Sequence, residues 1–419
     1  MLPEYIKKNS YDLKSVTSAD FEDLQPLKGM LENVKVVGLG ESTHGTKEFF
    51  QLKHRLVRFL VEEMGYRTFI LEAGMIPCMN INEYISSGKG DRAKALASQS
   101  YWTWDTEEVG AMLDWMLEHN MNCSRGEEVK FYGVDVKPVP EAVSILKRIN
   151  EKAELFEKEK INKILDEIFI LDDEGKGDGA ECRKDAIWLM GILTFNELSI
   201  CRRCGRAEYD LALACARTLC QYIDSMILAA DMSVRDILMA DNVMRLLNSL
   251  PPDEKVVIWA HNYHISTFES EGYPCMGSIL RRRLGSKYFP FALTFGKGSF
   301  QSRLIEPDDS IGDLQEFSIE GPRKGFWEKD LVERGGSFYF NIKEAAAKDF
   351  ETRDWANRVA QLFGAGGGYI PLPEESEEEE QFFSSYNLYS GFDGLFFVDE
   401  TTRAVPNPTG MRYKNQRTR

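Results

Sequence analysis

Four short apolar runs constrain this chain most: VKVVGLG (34–40), RTFILE (67–72), VKFYGVD (129–135) and KVVIWAH (255–261). Their apolar residues come nearly in succession rather than alternating with polar ones. A strand of that kind must be covered on both faces, as in a parallel sheet with helices on either side. Helical periods fall between the runs. Phe49, Leu52, Leu56, Phe59 and Leu60 share one face of a helix over 47–64, and Val109, Met112, Leu113 and Met116 share a face over 106–119. Strands alternating with helices define an α/β fold. Later runs at 289–296, 337–342 and 394–399 read as further strands.

Between Asp135 and Lys255 the pattern changes. Helical periods such as DAIWLMGILTFNELSICRRC dominate, DDEGKGDGAE (172–181) reads as a loop, and no comparable strand run intervenes. The stretch is far longer than an ordinary crossover. The expected architecture is a mostly parallel central sheet flanked by helices, with a large helical insertion between the strands at 129–135 and 255–261. A single core stops growing near ~250–300 residues. The 419 residues are therefore divided into a discontinuous α/β core, 1–137 and 251–419, and an insertion or cap, 138–250.

The formal net charge is -16. Nucleic-acid binders and proteins of anionic membranes need a basic face, so neither is an expected partner class. No apolar stretch reaches the about 18 residues of a transmembrane helix. The opening MLPEYIKKNSYDLKSV lacks the apolar centre of a secretory signal. The eight scattered cysteines form no disulfide framework, which points to a reducing cytoplasm. Cys201 and Cys204 form a CxxC within a helical pattern, with no second pair and no nearby histidine, and read as ordinary helix residues. The glycine-rich GAGGG (364–368) leads into YIPLP rather than a helix, which argues against a phosphate loop. EESEEEE (374–380) reads as a solvated acidic loop and MRYKNQRTR (411–419) as a basic tail.

Polar residues stand where the runs end: Glu41 after the first, then Glu72, Asp135, and His261 with His264 three residues on. In a parallel sheet they collect at the carboxyl edge, where open α/β sheets bind ligands. The turn GESTHG (40–45) adds His44 beside Glu41. Gly40 and Gly45 are expected to supply its sharp bend, and Ser42 or Thr43 to cap the helix that follows. Lys53 lies inside the apolar face of that helix and must pair or snorkel, with Glu41 or Glu72 as candidate partners. His54 and His119 fall on polar helix positions and read as surface groups, which leaves His44, His261 and His264 of the five histidines for chemistry.

Imidazoles among carboxylates suit general acid–base catalysis. A neutral histidine takes a proton from water, and a carboxylate orients it and stabilises its charged form. A second histidine or the lysine serves the leaving group or the developing oxyanion. Ester hydrolysis is the natural outcome. The same groups would also suit zinc or manganese, although HNYH (261–264) lacks the glutamate of HExxH. No GxSxG elbow occurs, so a serine hydrolase does not fit.

Six blocks in order, GLGESTHGTKEFFQLKHRLVRFLVEEMGYRTFILEAG (38–74), YWTWDTEEVGAMLDWMLEHN (101–120), FYGVDV (131–136), RDILMADNVMRLL (235–247), VVIWAHNYHIS (256–266) and FDGLFFVDETTRA (392–404), resemble the erythromycin esterase family. The resemblance implies an α/β core, a large helical part and a deep cleft between them. It implies hydrolysis of a small-molecule ester or lactone, which in the family's resistance members is the macrolactone of erythromycin-type antibiotics. His44 corresponds to the family's general base and Glu41 to the acid of the same motif, with Glu72, His261 and His264 as the further site groups. Water activation without a metal or other cofactor is implied. The basic residue nine positions after the base histidine is arginine in the resistance enzymes and Lys53 here, so the substrate stays open, because a guanidinium fork and an ammonium point charge bind differently. Asp135, Trp102 and Trp104 are candidate substrate contacts in a roomy apolar cleft. The alternatives are a metal-dependent hydrolase built from the same cluster, or a protein that binds a macrolide or an envelope-polysaccharide precursor without turning it over.

Overall fold

The structure, a computed structural model, describes residues 1–99, 101–137, 139–228, 233–269, 272–306, 310–371 and 384–408. Its strands are β1 (Tyr11–Asp12), β2 (Val36–Leu39), β3 (Thr68–Gly74), β4 (Lys130–Asp135), β5 (Val256–Trp259), β6 (Tyr288–Ile305), β7 (Ile311–Ile319), β8 (Phe338–Asn341), β9 (Val359–Leu362), β10 (Gly368–Tyr369), β11 (Ser384–Asn387) and β12 (Gly394–Thr401). The main sheet runs β1-β8-β12-β6-β2-β5-β3-β4, with β7 and β10 attached to β6, while β9 and β11 pair separately. From β12 to β4 neighbouring strands are parallel. β1, β8 and β7 are the antiparallel additions. The fold is thus α/β with a mixed, mostly parallel sheet.

The near-continuous apolar runs have the cause expected of them. Val37, Leu39, Val257, Trp259, Phe69 and Leu71 enter one buried cluster, and Val36, Val256, Ile258 and Ile70 enter another. Successive strand residues point to opposite faces, so both faces are dry. The helix Lys47–Met64 lays Phe49, Phe50, Leu52 and Leu56 into the first cluster and stops at Gly65, whose φ of 74° forms a left-handed cap bonded to Leu60 O.

All seven runs read as strands are strands, but β6 is much longer than its apolar centre and β7 was not anticipated. β7, IGDLQEFSI, pairs only with the outer half of β6, and its residues are half-buried or exposed. A strand solvated on that scale carries no continuous apolar signal.

The described residues between β4 and β5 form helices joined by short links, with no strand among them. Helices Pro140–Ala153, Lys158–Glu174, Gly179–Phe195, Glu197–Arg203 and Arg206–Ile227 surround a core of their own that includes Leu146, Ile149, Leu165, Leu189 and Leu219. The expected loop at 172–181 shortens to the link between the second and third of these helices. The last helix, Ser233–Ser249, instead sends Met239, Val243 and Leu247 into the sheet's second cluster. All eight cysteines are free. Among the described residues no helix is long and apolar enough to cross a membrane. The acidic run 374–380 and the tail 411–419 lie outside the described residues.

Candidate active site

Strand register brings the polar residues together. Leu39 of β2 and Leu71 of β3 both pair with Trp259 of β5. The residues just beyond, Glu41, Glu72 and His261, therefore emerge at one level on the carboxyl edge. Asp135 pairs with Gly74 after a register shift in β3, which brings the end of β4 to the same edge.

The turn after β2 is shaped by close approach rather than by left-handed backbone. Neither Gly40 nor Gly45 has a positive φ, contrary to the expectation that they supply an unusual bend. A Cβ on Gly40 would stand 2.0 Å from Asn262 Oδ1, and one on Gly45 2.0 Å from the Gln301 carbonyl oxygen. Capping by Ser42 or Thr43 is also not found. Thr46 precedes the helix and makes no side-chain cap bond, Thr43 and Thr46 share a hydroxyl contact, and Ser42 Oγ is buried without a partner among the described residues.

Glu41 is fully buried and accepts from three donors. His44 Nδ1 lies 2.6 Å from its Oε1, while Lys53 Nζ donates to Oε2 at 2.7 Å and Trp259 Nε1 to the same atom at 2.9 Å. Lys53 is itself fully buried and sits 4.5 Å from the Trp259 ring centroid, so it pairs rather than snorkels. Burial lowers its pKa to about 8 against the pull of Glu41. At neutral pH it stays charged and offsets the carboxylate. His44 packs between Trp104 and His261, each ring centroid 5.2 Å away. With Nδ1 held by Glu41, its Nε2 makes no hydrogen bond among the described residues, and the side chain is 10% exposed.

His261 is differently placed. Its Nδ1 accepts from Tyr263 N at 3.2 Å, and its Nε2 stands 3.3 Å from the Ser42 carbonyl oxygen. Both nitrogens are used in the neutral Nε2–H form. Burial, with His44 and His264 nearby, drives its pKa down to about 3. His264 takes the opposite state. Burial would lower its pKa, but Asp236 at 2.9 Å from Nδ1 and Glu72 at 3.1 Å from Nε2 raise it to about 10.

Arg235 joins these groups. Its guanidinium donates to Asp135 Oδ1 (3.1 Å) and Oδ2 (2.9 Å) and to Glu72 Oε1 (2.9 Å), and approaches His264 Nε2 at 3.0 Å. Burial would raise the Glu72 carboxyl, yet His264 and Arg235 hold it well below the carboxylate range. Asp135 is likewise lowered by Arg235 against its burial. Glu72 Oε2 also accepts from His261 N (2.9 Å), and Tyr101 OH donates to Asp135 Oδ2 (3.2 Å).

The nine residues expected at a site do not stand alike. Glu41, His44, Lys53, Glu72, Asp135, His261 and His264 form this network. Trp104 joins through its indole N–H to Glu72 O (3.1 Å) and its edge against His44. Trp102 is buried, and no contact places it among these groups. The reasoning from sequence missed Arg235, Asp236 and Trp259. The one available signal was an adjacent Arg–Asp pair opening a helical period. His54 is not a plain surface group: it is half-buried against Trp115, and burial lowers its pKa to about 4. Among the described residues no group of three or more His, Cys, Asp or Glu has the spacing to hold a metal ion.

A mostly parallel α/β sheet with a carboxylate–imidazole pair at its carboxyl edge is the class these observations define. The family model for erythromycin esterase matches residues 61–401, and the chain belongs to that family. It is 25% identical to erythromycin esterase type II of Escherichia coli over 78% of this chain and 85% of that one. A Bacillus cereus protein of known crystal structure aligns with a TM-score of 0.79 at 23% identity, over 96% of this chain and 98% of that one. A mutant of the erythromycin esterase EreC in its open conformation aligns with a TM-score of 0.68 at 19% identity, over 94% and 97%. Membership supports a hydrolase-like activity on esters or lactones.

Proposed function

We propose that this protein is a cytoplasmic hydrolase of a small-molecule ester or macrolactone, with His44 as general base and no cofactor. The observation that carries the reading is the 2.6 Å bond between His44 Nδ1 and Glu41, which leaves Nε2 with no protein partner among the described residues. A carboxylate on Nδ1–H puts the lone pair on Nε2 and stabilises the imidazolium that forms. Water held at Nε2 gives up a proton to His44 as its oxygen attacks the acyl carbon. The tetrahedral oxyanion then collapses, the acyl C–O bond breaks, and His44 returns the proton to the departing alkoxide.

Lys53 and Trp259 act through Glu41, holding its carboxylate in line. Arg235, about one-third exposed, is the cation placed to meet the developing oxyanion. The carboxylates of Glu72 and Asp135 hold it there. His261, neutral and bonded at both nitrogens, fixes the turn rather than moving protons. The helices between Pro140 and Ile227 serve as a cap, while Arg235 comes from the helix Ser233–Ser249 that packs on the sheet. Trp102, Trp104 and Asp135 are assigned to substrate contact.

The test is His44→Ala in a mass-spectrometric screen over macrolides and aryl esters. The expected result is loss of the hydrolysed product with an unchanged circular-dichroism spectrum. Wild-type turnover in that variant would remove the mechanism. Lys53→Arg in the same screen reads whether this position selects the substrate, with a gain in macrolide turnover as the expected outcome.

A further inference from the structure

His264 stands between two groups that ask opposite things of it. Its Nε2 lies 3.1 Å from Glu72 Oε1, a carboxylate oxygen that accepts, and 3.0 Å from Arg235 Nη1, which can only donate. A charged ring has a proton on Nε2 and donates it to Glu72. A neutral ring with its proton on Nδ1 has a lone pair on Nε2 and accepts from Arg235. Arg235 Nη1 has no other hydrogen-bond partner among the described residues, whereas Nε and Nη2 are held by Asp135 and Glu72. The state of His264 therefore decides whether Nη1 is engaged inside the protein or left for a ligand.

The other ring nitrogen carries the deciding contact. Nδ1 lies 2.9 Å from Asp236 Oδ1 and 3.0 Å from Oδ2, and Asp236 is 1% exposed. Oδ1 also accepts from Met276 N (2.7 Å), which fixes the carboxylate from a second element. The groups that face His264 come from several directions. The helix Ser233–Ser249 brings Asp236 and Arg235, β3 brings Glu72, and Asp135 of β4 lies behind Arg235. Its own turn adds His261, which is neutral, and the edge of Tyr263. The Cys275 thiol beside Asp236 is pushed up to about 11 by burial and stays neutral. Burial works against a charge on His264, but the Asp236 and Glu72 carboxylates raise its pKa to about 10.

We infer that Asp236 is a positioning residue for hydrolysis: it keeps His264 charged and bonded to Glu72, so that Arg235 Nη1 stays free for the developing oxyanion. The inference rests on the role proposed above for Arg235. A neutral His264 would take Nη1 as its own donor and withdraw it from the substrate.

Two measurements test it. ¹⁵N-imidazole shifts of His264 in the wild-type protein need no turnover, and are expected to show both ring nitrogens protonated at neutral pH. A neutral ring there would overturn the inference. The second is the pH profile of kcat for an alkyl ester, whose alkaline limb is expected to follow His264 at about 10. Asp236→Asn keeps an oxygen for Met276 N and removes the charge, and loss of an opposite charge at this distance lowers an imidazole by about 1–3 units. The limb is expected to move down by that amount, with KM within about twofold, because Nη1 acts on the transition state. A merely structural role lowers kcat evenly across the profile or raises KM with it. Either result, or an unmoved limb, would overturn the inference. If the variant does not fold, the wild-type imidazole shifts still decide. Wild-type turnover in His44→Ala would instead sink the hydrolytic reading, and those spectra tell the two failures apart.

Discussion

Replacing Glu41 by glutamine changes one oxygen to nitrogen, yet the geometry predicts a large loss. Oε2 receives two donors, Lys53 Nζ and Trp259 Nε1, while Oε1 receives only His44 Nδ1. In Glu41→Gln the amide has one oxygen, and the position facing two donors, one of them cationic, takes it. The NH2 then faces His44. It donates to Nδ1, the ring proton moves to Nε2, and the lone pair that should accept from water is gone. The same inversion of tautomer in a catalytic triad lowers kcat by roughly 10⁴. That ratio corresponds to about 5 kcal/mol of barrier at 1.36 kcal/mol per decade.

Stability should suffer less. Lys53 loses its counter-ion, but burial has already brought its pKa to about 8, so it can shed its proton instead of remaining charged and unpaired. Single-turnover kinetics on an ester substrate reads the barrier, and ¹⁵N-imidazole shifts of His44 read the tautomer directly. A variant that keeps kcat within about tenfold while folded would show that Glu41 does not set the state of His44.

Lys53→Met should destabilise the protein by about 3–5 kcal/mol in urea unfolding, because a fully buried carboxylate loses its cation; a change under about 1 kcal/mol would mean that Trp259 and His44 suffice. His264, with a folded pKa of about 10 against 6.5 unfolded, stabilises the fold in full below pH 6.5. That contribution is lost as pH rises from 6.5 towards about 10, so urea midpoints should fall over this range and His264→Gln should flatten the fall. Gly45→Ala drives a methyl onto the Gln301 carbonyl and should cost about 1–3 kcal/mol, read as a lower Tm, with activity falling alongside because His44 is the next residue.

How far the sequence could be read depended on how local each determinant is. Runs such as VVGL and VVIW name their strands because burial on both faces leaves no room for polar residues, and strand ends then bring Glu41, Glu72, Asp135 and His261 to one edge by topology alone. Lys53 was legible because an ammonium on an apolar stripe demands a partner. Arg235 was not: it stands 163 residues from Glu72 and 100 from Asp135, on a helix whose period marks it only as polar. Trp259 carries an apolar ring and one N–H, and its pattern reports only the ring. The states of His261 and His264, neutral and charged, come from neighbours on other elements. His54 was misplaced because Trp115, on another helix, covers it.

The motif turn is stitched to residues hundreds of positions later in the sequence. Gly45 O accepts from Gln301 N and from Ala404 N, and Ser42 O accepts from Ala365 N. Chains emerge from the ribosome amino end first, at ~5–20 residues per second. His44 is therefore translated early, but its loop finds its last anchors only when Ala404 arrives. A ribosome-bound fragment that stops short of Ala404 should show no ester hydrolysis, and a protease cut after residue 364 should abolish any turnover the intact chain has.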